Sequence, residues 1–180
     1  MKWIIKKASY YIVSIVLVIT TPLAFANNTE DSKEPIEITS NTGSFDNKKG
    51  VALYTGNVKV TQGSRLLTSD NLELQRNAAG DASKFIAKGK PARYQSKTSP
   101  DKPLLYAQAD TIEYDVQKQV LYLIGNARVE QGGDVYSAPR IEYNQKDDIV
   151  NSPRNEQGRT TIIIQPRENK SNIPSINPTN

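Results

Sequence analysis

From residue 35 onward, apolar side chains recur at every second position. They alternate with polar ones in Ile36-Glu37-Ile38-Thr39, Val58-Lys59-Val60, Leu72-Glu73-Leu74, Ile112-Glu113-Tyr114-Asp115-Val116 and Ile141-Glu142-Tyr143. Each run is short and ends at Gly, Asn, Asp or Pro, as half-buried antiparallel strands do. No i, i+3, i+4, i+7 stripe is sustained after residue 26. The pattern predicts an all-β protein.

An internal repeat fixes the organisation further. A shift of 69 residues lays 40–74 on 109–143 without a gap and brings ten identical residues together, among them Asp46, Gly56, Asn57, Val60, Gln62 and Gly63. A shorter echo begins at Gly89, and Gly158 can start a fourth unit; the glycines 56, 89, 125 and 158 stand 33, 36 and 33 residues apart. Such a period means one supersecondary unit stacked on copies of itself. Each unit reads as a strand, a turn near Asp46 or Asp115, a strand, a Gly-Asn turn and two further strands. Gly-Asn is expected to make a tight hairpin, because both residue types tolerate positive φ. The whole is expected to be an elongated antiparallel structure, open at both ends.

The alternation assigns Ile36, Ile38, Val58, Val60, Leu72, Leu74, Ile112, Tyr114, Val116, Val120, Tyr122, Ile141 and Tyr143 to one inward surface. An ordinary sandwich core accounts for them. So does a trough for a long apolar ligand, since stacked repeats make the inner face continuous and no Trp or Met after residue 26 fills its centre. The first and last strands, Ile36-Glu37-Ile38-Thr39-Ser40 and Thr160-Thr161-Ile162-Ile163-Ile164-Gln165, would carry unpaired backbone groups. The second of these has no charge within it to blunt an edge. Either it is paired inside the fold, or it accepts a strand from another β protein.

Composition narrows the chemistry. The 180 residues include neither Cys nor His, which excludes thiolate zinc sites, disulfides and His-dependent nucleophiles. Glu113 and Asp115 lie on the face opposite Ile112 and Tyr114, and Asp70 and Asp110 read as turn residues, so no acid–base pair assembles and an enzyme is not expected. Lys2, Lys6 and Lys7, the apolar stretch Ile12 to Ile19, and Ala24-Phe25-Ala26 form a cleavable export signal over 1–26. Its removal after Ala26 leaves 20 basic against 19 acidic residues, which gives no reason to propose nucleic acid as a partner. The expected division is a signal peptide 1–26, a disordered leader 27–34, a β domain 35–165 and a disordered polar tail 166–180. No cofactor or metal is implied, and the expected compartment is the periplasm.

Several stretches together carry a resemblance. Pro35-Ile36-x-Ile38, Phe45-Asp46 and Tyr54-Thr55-Gly56-Asn57-Val58-x-Val60-Thr61-Gln62-Gly63 closely resemble the OstA-like repeat family. Gly89-Lys90-Pro91-Ala92, Ala109-Asp110-x-Ile112-x-Tyr114 and Gly125-Asn126-Ala127 follow in the family's order. The resemblance covers about 35–165. It implies a twisted antiparallel β-jelly-roll of V-shaped section with the acyl chains of lipopolysaccharide (its lipid A part) in the lumen. It implies lumen contacts at Ile36, Ile38, Tyr94, Tyr114 and Val116. It also implies head-to-tail self-association, an inner-membrane-anchored Lpt component at the Ile36–Ser40 edge, and an outer-membrane translocon at the Thr160–Ile164 edge. A periplasmic carrier of another apolar ligand and a parallel β-helix enzyme or adhesin are the rival readings.

Overall fold

The computed structural model describes residues 28–153 and 158–166. The expected signal segment, its cleavage site and the tail beyond residue 166 lie outside the described residues. A short 3-10 helix, Asn28–Lys33, precedes ten strands: β1 Glu37–Thr39, β2 Thr42–Asp46, β3 Val51–Gln62, β4 Arg65–Arg76, β5 Ala82–Ser96, β6 Leu105–Asp115, β7 Val120–Gln131, β8 Asp134–Asn144, β9 Ile149–Asn151 and β10 Thr161–Ile163. All pairings are antiparallel, in the order β1-β3-β4-β5-β6-β7-β8-β10, with β2 also on β3 and β9 also on β8. Among the described residues the sheet does not close. β1 and β2 form one margin, and β9 and β10 form the other.

The turns at one end follow a shared recipe. Asp46 Oδ1 accepts from the amides of Lys48 and Lys49, Asp115 Oδ1 from Lys118, and Asn144 Oδ1 from Lys146 and Asp147. The fifth residue of each, Gly50, Gln119 or Asp148, has positive φ. Here the short polar side chain substitutes for a ladder partner and lets the chain reverse. The expected turns at Asp46 and Asp115 are present.

The Gly-Asn pairs behave differently from the expectation. Gly56-Asn57 and Gly125-Asn126 do have positive φ (82° and 49°; 77° and 49°), but each pair sits in the middle of a continuous strand. The tight hairpins come seven residues later, at Gly63-Ser64 and Gly132-Gly133, where Gln62 pairs Arg65 and Gln131 pairs Asp134. Positive φ inside a strand produces a bulge, and bulges bend the strand. The register slips at the corresponding point of every long pairing: Thr55/Val58, Thr68/Asn71, Lys88/Ala92, Gln108/Thr111 and Ile124/Ala127. Lined up across the sheet, these bulges form a single crease. All four of the spaced glycines sit along it. A Cβ at Gly56 would lie 2.6 Å from Asn41, at Gly125 2.5 Å from Asp110, and at Gly158 2.8 Å from Pro139.

The crease divides the sheet into two halves that face each other. Both contribute to one buried apolar cluster, which includes Phe85, Ile112 and Leu121 from one half and Val60, Leu105 and Val129 from the other. The leader is not free either: Asp31 accepts from the Ser64 amide (2.9 Å), and Gln62 Nε2 donates to the Glu34 carbonyl (3.1 Å). The repeated Gln131 does the same work in the next unit, donating to the Pro103 carbonyl at 3.0 Å. These contacts explain why Gln recurs at that point of the repeat.

Candidate functional site

The inward face is where the candidate site lies. Val58, Val60, Leu72, Leu74, Tyr94, Ile112, Ile141 and Tyr143 are buried, as expected from the sequence. Ile38, Tyr114 and Val116 pack partly buried against the same cluster. Ile36 precedes β1 and is exposed, yet it lines a small apolar cavity with Val60, Leu67, Phe85, Tyr94, Tyr114 and Leu121.

Val120 and Tyr122 are corrections. Across the Asp115 turn, Tyr114 pairs Leu121 and Ile112 pairs Leu123, so those leucines point inward. Val120 pairs Asp115, and Tyr122 pairs Glu113 and Glu142 on the outer face, where the Arg140 guanidinium lies 5.2 Å from its ring. Every residue from 120 to 124 is apolar, so local alternation could not choose between the two faces. Counting the pairs back through the Asp115 turn would have found Leu121 and Leu123. Further inward residues missed by the sequence reading are Leu67, Phe85, Leu105 and Val129, all buried.

The expected trough is a filled interior. Its own side chains occupy it, and the cavity beneath Tyr94 and Tyr114 measures about 40 Å³. That is close to the ~30 Å³ share of one water molecule in the liquid. A fatty acyl chain needs many times that volume.

The two sides of the interior are closed in different ways. At the crease the backbone itself runs from one half to the other in six long strands. At the opposite side, the mouth, side chains make the bridges. Gln145 Nε2 donates to Tyr94 Oη (2.6 Å), Arg65 Nη1 donates to Tyr114 Oη (3.4 Å), and Lys102 pairs with Asp148. Tyr143 Oη also donates to Asp148 Oδ1, at 3.0 Å. Burial raises the pKa of the Tyr94, Tyr114 and Tyr143 hydroxyls above the ordinary phenol value, keeping them neutral. The hydrogen bond from the Lys102 ammonium holds the Asp148 carboxyl below its usual value and keeps it charged. Asp115 is also lowered, chiefly by the Lys118 amide.

The two margins differ in composition. In β1, Ile38 faces inward opposite Val60, while Glu37 and Thr39 flank it. In β10, Ile162 pairs Tyr136 on β8, yet Ile162, Ile163 and Ile164 are each about half exposed or more. Among the described residues β10 is therefore paired along one edge and open along the other, with an unusually apolar surface for an edge. The Gln165 amide donates to Asp134 Oδ1 (2.9 Å) and pins its end.

A family model described as "LptA/(LptD N-terminal domain) LPS transport protein" matches residues 37–149, from the start of β1 to the start of β9. The chain belongs to the LptA/LptD N-terminal family. Among members of this family, the lipopolysaccharide export system protein LptH of Pseudomonas aeruginosa is 35% identical over 145 residues, covering 77% of this chain and 83% of that one. LptA of Escherichia coli K12 is 30% identical over 153 residues, 82% of each chain. The crystal structure of P. aeruginosa LptH, described as the periplasmic component of a lipopolysaccharide transport device, superimposes with a TM-score of 0.71 at 34% identity. That match covers 76% of this chain and 99% of that one. Membership of the LptA/LptD N-terminal family accounts for the creased, unclosed sheet and removes the parallel β-helix alternative, since every pairing is antiparallel.

Proposed function

We propose that this protein is a periplasmic lipopolysaccharide carrier that takes the acyl chains between the two halves of its sheet. The observation that carries this reading is the pairing of a continuous apolar interior with a mouth bridged by side chains. Each methylene removed from water is worth about 0.8 kcal/mol. Several acyl chains therefore offer tens of kcal/mol in gross terms, enough to offset the loss of a few polar bridges at about 0.5–1.5 kcal/mol each. Because apolar attraction has no preferred direction, a lipid can slide along the interior without breaking a sequence of specific bonds. Lumen contacts are assigned to Ile36, Ile38, Tyr94, Tyr114 and Val116, together with the buried aliphatic positions. Photo-reactive residues at Ile38 and Tyr114 are expected to label lipopolysaccharide, and one at Glu113, on the outer face, is not. Equal labelling from both faces would count against the interior as the binding site.

The open margins supply the assembly. Strand addition at β1 and β2 would receive the inner-membrane-anchored component, and strand addition at β10 would engage either a second copy or the outer-membrane translocon. Residues Ile36, Glu37, Ile38, Thr39 and Ser40 make the first edge, and Thr160, Thr161, Ile162, Ile163 and Ile164 make the second. Deleting Thr160–Gln165 is expected to abolish head-to-tail oligomers in light scattering while lipopolysaccharide binding persists. Oligomers of undiminished size would overturn the edge assignment.

A further inference from the structure

Directly above the mouth bridges lies a polar pocket of about 350 Å³, within the ~300–1,000 Å³ of small-molecule sites. Arg65, Ser96, Gln145, Lys146 and Asp148 are among the residues that line it. Two of its polar atoms, Ser96 Oγ and Gln145 Oε1, are buried with no hydrogen bond of good geometry among the described residues. Ser96 is 3% exposed and its hydroxyl lies within hydrogen-bonding reach of the Tyr94 hydroxyl, while Gln145 Oε1 has no partner among the described residues. Turning the Gln145 amide over does not help, because Tyr94 engages only one end of it. Buried polar atoms without partners are uncommon and costly, and call for an explanation.

The neighbouring cation is also loosely held. Arg65 reaches Gln62 and Tyr114 at 3.4 Å and Asp31 at 3.9 Å, all at the long limit for such contacts. Its planar fork has capacity for a better acceptor. Lys146 stands exposed at the rim. The pocket is lined by the cations Arg65, Lys97 and Lys146 beside the carboxylates of Asp31 and Asp148. Arg65 and Lys146 with a hydroxyl donor suit a phosphate, and the amide acceptor suits a sugar hydroxyl. Below it, across Tyr94 and Arg65, the surroundings become apolar.

We infer that this pocket is a head-group site for a phosphorylated sugar, with phosphate on Arg65, Lys146 and Ser96 and a ring hydroxyl on Gln145. The inference rests on the carrier reading above and deepens it: the site would hold the polar end of an amphiphile whose tails occupy the interior. Head-group binding would draw Arg65 away from Tyr114, while Gln145 keeps its bond to Tyr94 through Nε2. Occupation of the pocket thereby loosens one of the bridges that close the mouth.

The test uses the full chain lacking residues 1–26 and two kinds of probe. Nuclear magnetic resonance titrations with glucosamine 1-phosphate, glucosamine and inorganic phosphate examine the pocket without tails. Glucosamine 1-phosphate is expected to shift the Ser96, Gln145 and Lys146 resonances more strongly than either fragment alone. Ser96→Ala and Lys146→Gln are each expected to weaken it about tenfold. Ser96→Ala should leave thermal stability nearly unchanged, because its hydroxyl makes no hydrogen bond of good geometry among the described residues. Binding of inorganic phosphate as tight as that of glucosamine 1-phosphate would reject a sugar site.

Lipid A and its dephosphorylated form examine the pocket with tails. The unmodified protein is expected to prefer the phosphorylated form about tenfold, and Lys146→Gln to lose most of that preference. Binding of both forms with no preference, and no shift at the three resonances, would overturn the head-group site and leave the carrier reading standing. Binding of the sugar phosphate with no uptake of either lipid would uphold the site and reject the carrier.

Discussion

Leu123→Ala is expected to lower the unfolding free energy by about 2–5 kcal/mol, the usual range for truncating a buried leucine. Tyr122→Ala, one position away, is expected to cost well under half as much. Leu123 has no exposed surface and lies between Ile112 and Ile141 on neighbouring strands. Tyr122 is half-buried on the outer face, where it packs beneath Arg140 and loses little by truncation. Urea denaturation of the two variants measures the difference directly. A larger loss from Tyr122→Ala would mean that β7 is turned over relative to its neighbours, and every inward assignment on that strand would fall with it.

Locking the mouth is expected to have the largest functional effect. The chain contains no cysteine, so Lys102→Cys and Asp148→Cys introduce a unique thiol pair in place of an ion pair that spans the two halves. Both positions are exposed; Asp148→Cys also removes the acceptor of the buried Tyr143 hydroxyl, a loss that the linked and capped proteins share. Joining them with a bismaleimide is expected to reduce lipopolysaccharide binding at least about tenfold, if no more than a tenth of the locked molecules can reach the open form. Capping the same thiols with a monofunctional maleimide should leave binding near that of the unmodified pair. If the linked protein binds as well as the capped one, lipid enters through the ends of the sheet and the mouth bridges are structural only.

Much of this architecture was legible in the amino-acid sequence, for identifiable reasons. Where one residue parity is apolar and the other charged, as in Ile112-Glu113-Tyr114, the strand face was fixed before any coordinates. Asp46 and Asp115 marked real reversals because a short carboxylate can cap the amides that follow it. Gly56-Asn57 correctly signalled positive φ. The same backbone preference serves a hairpin and a mid-strand bulge, however, and only the pairing on either side distinguishes them. In β4 and β6 the bulge also switches which parity points inward, from Leu67 to Leu72 and from Ala109 to Ile112, which a strict two-residue period cannot follow. The pocket at the mouth was invisible for another reason. Arg65, Ser96 and Gln145 come from three distant turns and strand ends, and nothing local to any of them announces the others.

The crease has a consequence for how such a molecule can open. A closed barrel that admits a large guest must break ladder bonds between two strands. Here the inter-strand bonds run along the crease line from strand to strand, and the covers of this book can part about its spine with every page still bound. Slow-exchanging amides in the middle strands would then stay protected whether the volume is shut or open, and the energetic barrier to loading would come from parting the apolar side chains that meet between the halves and from the polar bridges at the fore-edge.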